Sequence, residues 1–94
     1  MATSNEKSWF VYMVRCSDNS LYTGIAIDVE QRVIHHNDPR KGARYTRARQ
    51  PVALVYQEES SSRSEASKRE AAIKRLRKEE KERLVAAFMA RVRA

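Results

Sequence analysis

Five side chains in this sequence are of the types that can cut a phosphodiester with a single metal ion. Tyr12 and Tyr22 lie in two short β-patterned runs, Phe10-Val11-Tyr12 and Tyr22-Thr23-Gly24. Arg32 and His36 follow one helical turn apart, and Glu70 sits among basic residues further on. Attack on a phosphodiester adds negative charge to the phosphoryl oxygens, and a guanidinium offers them fixed, permanently charged N–H donors. A carboxylate can hold Mg²⁺, which keeps several waters and asks for few protein ligands, and the metal stabilises the leaving oxygen. A tyrosine hydroxyl or a neutral imidazole can take the proton of the attacking water. A free phenol titrates near about 10 and an imidazole close to neutral pH, so Tyr22 needs a nearby cation or the metal to act as base, whereas His36 needs less help.

The elements that must position these groups can be read from the same residues. Residues 9–15 are aromatic and β-branched and nearly all apolar, which predicts a strand covered on both faces. Ser17-Asp18-Asn19-Ser20 is a turn, and residues 21–25 return as the second strand of a hairpin. Asp28 caps a helix, with Gln31 completing a capping box. Val29, Arg32, Val33 and His36 fall on neighbouring positions of that helix, and Asp38-Pro39 ends it. His35 points elsewhere, while Asn37 is a further candidate to line a site. Residues 39–50 read as irregular with one helical turn at 43–48, and residues 52–56 as a third strand after Pro51. Ser62 and Glu65 form a second capping box, opening a helix with Ala66, Ile73 and Leu76 on one face. Leu84, Val85, Phe88, Met89 and Val92 continue at helical spacing. Between the two stretches, Arg77-Lys78-Glu79-Glu80 is compatible with a break or a continuous helix, since no Gly or Pro forces a stop. The order β-β-α-β-α-α predicts an α+β fold, a small three-stranded antiparallel sheet flanked by helices. Residues 1–8 are expected to be a disordered tail and residues 9–90 one domain.

The 94 residues carry 19 Lys and Arg against 12 Asp and Glu, a net charge of +7. That balance predicts attraction to a polyanion, and nucleic acid fits best because of where the charge sits. Arg32, Arg40, Lys41, Arg44, Arg47 and Arg49 are opposed only by Asp38 between residues 32 and 50. Arg40, Lys41, Arg44, Arg47 and Arg49 are therefore the expected phosphate contacts, with Tyr45 placed either to stack on a base or to tuck against the core. The final third mixes charge signs, as in Glu70 and Lys74, the pattern of a solvated helical face. The lone Cys16 excludes an internal disulfide and fits a reducing compartment. No signal-peptide core, zinc spacing or membrane-length apolar run is present, so a soluble, cytoplasmic monomer is expected.

Phe10-Val11-Tyr12, Tyr22-Thr23-Gly24, Arg32, and Ala66, Glu70 and Lys74 at four-residue spacing resemble, in that order, the GIY-YIG nuclease superfamily. Ser20-Leu21-Tyr22-Thr23-Gly24-Ile25 and Lys41-Gly42-Ala43-Arg44-Tyr45-Thr46 are typical of its small single-domain bacterial branch of uncharacterised proteins. The likeness covers residues 9–85. It implies hydrolysis of DNA with one divalent ion, Mg or Mn. It also implies Tyr12 and Tyr22 as the motif tyrosines, Gly24 as the motif glycine, Arg32 as the catalytic arginine, Glu70 as the metal ligand and His36 where relatives carry Tyr or His. The sequence departs from the pattern at Phe10, which replaces a glycine, at Val11, which replaces an isoleucine, and at Ile25, where DNA-repair relatives often carry lysine. Arg77 stands where close relatives have a small helix-capping residue. The leading expectation is a metal-dependent, structure-directed DNA endonuclease of repair or recombination. The alternatives are a non-catalytic nucleic-acid-binding module and an interaction domain that docks through the stripe Leu84, Phe88, Met89 and Val92.

Overall fold

A computed structural model describes residues 8–93, so all but Ser8 of the expected N-terminal tail lies outside the described residues. Three strands, β1 (Trp9–Arg15), β2 (Leu21–Ala26) and β3 (Ala53–Ser60), form one antiparallel sheet in the order β2-β1-β3. The most apolar run is thus the central strand, as its composition predicts. Between β2 and β3 lie helix α1 (Val29–His36) and a single turn of helix, α2 (Arg44–Arg47). Helices α3 (Arg63–Lys74) and α4 (Lys78–Arg93) follow β3.

Local chemistry accounts for the boundaries. Asn19 adopts φ 71°, the left-handed geometry that Asn tolerates in tight turns. Asp28 caps α1 by accepting the Gln31 N–H at 3.0 Å. The return half of that expected capping box is not made, because the Gln31 side chain turns to His35 instead. Ser62 caps α3 through the Glu65 N–H. The helical stretch breaks at residues 75–77, where the Glu80 carboxylate accepts the Arg77 N–H at 2.9 Å and so satisfies an amide at the start of α4. β3 runs four residues past the apolar segment that marks it in the sequence. Its polar end is held by pairing, with Glu59 opposite Phe10 and Ser60 opposite Trp9.

Alternation along β1 sorts the core into two clusters. Val11 and Met13 point to one face and pack with Val55, Tyr56, Ala66, Ile73 and Val85, beneath α3 and α4. A bulge opposite Met13 and Val14 lets adjacent Val55 and Tyr56 share that face. Leu84, Phe88 and Met89 are spent on this cluster, which leaves Val92 as the exposed member of the proposed docking stripe. Tyr12 and Val14 point to the other face, with Cys16, Ala26, Val29 and Val52. Arg15 grips Glu82 with two hydrogen bonds of 2.8 and 2.7 Å, joining the end of β1 to α4. Among the described residues, no helix is long and apolar enough to cross a membrane.

Candidate active site

The second face holds a polar cluster inside its apolar surround. Tyr12, on the central strand, is 1% exposed, and His36, the last residue of α1, is fully buried. The Tyr12 hydroxyl lies 2.7 Å from His36 Nε2. On the far side of the ring, His36 Nδ1 lies 2.7 Å from the Thr46 hydroxyl, itself fully buried on α2. The Tyr22 ring meets the imidazole edge-on at 5.2 Å between centroids. The His35 side chain, one residue away, bonds exposed Gln31, so the helical spacing from Arg32 selects the histidine that joins the cluster.

Gly24 makes the arrangement possible. It lies opposite Tyr12 in the sheet, and a Cβ there would stand 2.6 Å from the Tyr12 hydroxyl. The Tyr12 ring therefore lies over the backbone of β2 where only glycine leaves room. Gly42 does the same for the loop. With φ 82° and the place of a Cβ only 2.8 Å from His36 Cα, it lets the 39–46 segment press against the end of α1. The Asn37 side chain, a candidate to line the site, pairs instead with both the N–H and C=O of Val52 at 2.7 and 3.0 Å, anchoring the chain that leads into β3.

Burial governs the titration of the pair. It pushes the Tyr12 phenol up to about 12, against the opposing pull of Arg32 and with added repulsion from Tyr22 and Glu70. It pushes His36 down to about 4, helped by the charges of Arg32 and His35. At neutral pH both groups are uncharged. Arg32, Tyr22 and Glu70 all act electrostatically on the Tyr12 hydroxyl, Arg32 most strongly and Glu70 least. Glu70 has a side chain 22% exposed and ion-paired to Lys74 at 3.1 Å, so it is a shielded carboxylate rather than one projecting into solvent. No cluster of three or more His, Cys, Asp or Glu occurs among the described residues. One protein oxygen ligand with water completing the shell suits a hard ion such as Mg²⁺, and Glu70 fits that demand.

The basic loop divides into engaged and free members. Arg49 bonds Asp18 at 3.0 Å, donates to the Tyr45 carbonyl, and lies 3.8 Å over the Tyr45 ring. Tyr45 also stacks with Tyr22 at 5.9 Å, so its ring is partnered within the protein. Arg40 is 4.0 Å from Asp38. Lys41, Arg44 and Arg47 are exposed and make no ion pair among the described residues. Sequence reasoning did not single out Thr46. The only signal was its place in the stretch Lys41–Thr46, since its partner His36 lies on another element.

A three-stranded antiparallel sheet flanked by helices, with a buried Tyr–His pair on its central strand, defines a class of small α+β domains. The sequence model of the GIY-YIG catalytic domain matches residues 8–83, and the chain belongs to the GIY-YIG family, a nuclease family. It is 54% identical over 84 residues to a UPF0213 protein of Desulfotalea psychrophila, covering 89% of this chain and 76% of that one. A UPF0213 protein of Staphylococcus aureus is 55% identical over 78 residues, 83% of this chain and 94% of its own. Among solved structures, the solution structure of an E. faecalis protein superposes with a TM-score of 0.60 at 39% identity, covering 92% of this chain and 91% of that one. That of a UPF0213 protein from Bacillus halodurans gives 0.55 at 39% identity, over 85% and 84%.

Proposed function

We propose that this protein is a divalent-metal-dependent endonuclease that hydrolyses DNA phosphodiester bonds in the cytoplasm, acting as a monomer on structured substrates in repair or recombination. The observation that supports the reading is the buried Tyr12–His36 pair, 2.7 Å apart with Tyr22 edge-on to the imidazole, on whose phenol Arg32 and Glu70 also act electrostatically. Arg32 holds the phosphoryl oxygens as charge builds on them. Half-buried Tyr22 orients the attacking water. As the water oxygen bonds to phosphorus, its proton passes to the Tyr12 oxygen and the Tyr12 proton passes to His36 Nε2. No free phenolate forms, but the relay leaves an imidazolium on His36, the form that burial disfavours. As the bond from phosphorus to the leaving oxygen breaks, that oxygen takes a proton from solvent water, and His36 gives its extra proton back through Tyr12 to the hydroxide so formed. Glu70 would hold the Mg or Mn ion, which would supply Lewis-acid stabilisation of the developing charge. Lys41, Arg44 and Arg47 track the flanking phosphates, and a domain this small offers little surface for sequence readout.

A second reading has its own support. Near-complete burial of Tyr12 and His36 is also what a structural hydrogen-bond network looks like in a non-catalytic DNA-binding module. Cleavage of supercoiled and branched DNA with Mg²⁺ or Mn²⁺ separates the two. For the nuclease, Arg32→Ala and Glu70→Ala each lower the cleavage rate by about 10²-fold or more, the size of loss seen when a preorganised charge-stabilising group is removed. Identical background cleavage in all three proteins, with binding retained, favours the module. In either case Arg44→Ala and Arg47→Ala each flatten the salt dependence of DNA binding by a slope of about 0.9.

A further inference from the structure

We infer that Thr46 is a positioning residue, which fixes the tautomer of His36 so that Nε2 is the bare, proton-accepting nitrogen facing Tyr12. The inference rests on the nuclease reading for its catalytic consequence but not for its geometry. A threonine hydroxyl has one proton to give. The Thr46 hydroxyl donates it to the Ala43 carbonyl at 3.0 Å. Toward His36 Nδ1, 2.7 Å away, it can therefore only accept, so Nδ1 carries the imidazole proton. A neutral imidazole has a single N–H, and Nε2 is left with its lone pair directed at the Tyr12 hydroxyl 2.7 Å away. The proton order thus runs one way, from Tyr12 through His36 and Thr46 to the Ala43 backbone. Reversed, His36 would donate to the Tyr12 oxygen, and the phenol could pass no proton to the ring.

The fold confines this hydroxyl to its task. Thr46 is the buried residue of α2, between exposed Tyr45 and Arg47. The loop reaches the ring because Gly42 allows backbone contact at His36. Of the other charged and titratable groups around the imidazole, Tyr12 bonds Nε2, Tyr22 meets the ring edge-on, and Arg32 and His35 act on it through their charge, while the hydrogen bond at Nδ1 is to Thr46.

Imidazole nitrogen NMR shifts at neutral pH, on the intact folded chain, read the tautomer without reference to activity. Wild type and Thr46→Ser are expected to show His36 protonated at Nδ1 and bare at Nε2. Thr46→Val removes the acceptor while keeping the shape, and is expected to move the proton to Nε2. In cleavage assays the same valine variant is expected to lose kcat by about 10²-fold or more with KM little changed, the scale of general-base loss, and Thr46→Ser to restore it. Protonated Nε2 in wild type, or bare Nε2 persisting in Thr46→Val, overturns the inference, and the wild-type spectrum decides even if the valine variant fails to fold. A wild type with bare Nε2 but no cleavage under any metal sinks the nuclease reading while supporting the tautomer assignment.

Discussion

The two faces of the sheet are built from the same strand and serve opposite ends. Val11 and Met13 meet an almost wholly apolar layer beneath α3 and α4, where Ala66 and Ile73 are fully buried. One residue along, Tyr12 points the other way into a layer that buries a phenol, an imidazole and a hydroxyl beside Val14, Cys16 and Val52. The first face derives stability from removing hydrocarbon from water, a contribution that tolerates substitutions of similar volume. The second must satisfy each polar atom it buries, and it does so by linking them to one another; no buried side-chain nitrogen or oxygen among the described residues lacks a partner. Specific chemistry on one side is carried by generic packing on the other.

The largest stability effect should come from the apolar face. Ile73→Ala leaves a cavity at a fully buried position and is expected to cost about 2–5 kcal/mol in denaturant unfolding. Because Ile73 packs on the face away from Tyr12 and His36, the histidine tautomer in the folded fraction should not change. If the tautomer shifts along with the stability, the two faces are not separable as described.

The polar face predicts a pH dependence with two limbs. His36 is held neutral, with a pKa of about 4 in the fold against 6.5. The unfolded chain therefore binds the extra proton first, and stability falls as pH drops below 6.5, with the loss complete near 4. Tyr12 is held as a phenol, with a pKa of about 12 against 10.0, so the unfolded chain releases its proton first and stability falls as pH rises from 10 toward 12. The acid limb is expected to be on the order of 3 kcal/mol and the alkaline limb somewhat smaller. Urea midpoints across pH should show both limbs. His36→Gln should flatten the acid one and Tyr12→Phe the alkaline one. A pH-independent midpoint between 6.5 and 4 would mean the imidazole is not buried as a neutral group.

The difference between the faces also explains what could be read from the sequence. The apolar face was legible, since β1 and the Ala66/Ile73 stripe follow from local periodicity. β3 was legible only in its apolar half, because Gln57 to Ser60 are held as strand by the partner they pair with and not by their own composition. On the polar face, helical spacing from Arg32 was enough to choose His36 over His35. Thr46 was not visible, because no periodicity links a residue on a four-residue turn to the end of another helix. Charge counting grouped Arg49 with the phosphate contacts, yet it cannot see that Asp18, far back in the hairpin turn, already holds that guanidinium. The helix break at residues 75–77 stayed open in the sequence because the group that stabilises it is a glutamate reaching backwards, which no Gly or Pro announces.

The smallest effect should fall where the two strands of the hairpin touch. Gly24 has no need of unusual backbone geometry; its value lies in the space that a Cβ would take from Tyr12, 2.6 Å from the hydroxyl oxygen and 2.8 Å from Cζ. Tyr12 cannot swing away freely, since it is buried in the central strand and bonded to His36. Gly24→Ala is therefore expected to cost about 1–3 kcal/mol through overpacking, less than the cavity at Ile73, and to displace the phenol from the imidazole. Tyr12→Phe removes the closest of the clashing atoms but leaves the ring. In that background the alanine should cost measurably less, a coupling that a double-mutant cycle can read. Equal costs in both backgrounds would show that the glycine serves some other neighbour, and that the space over β2 is not what positions the phenol.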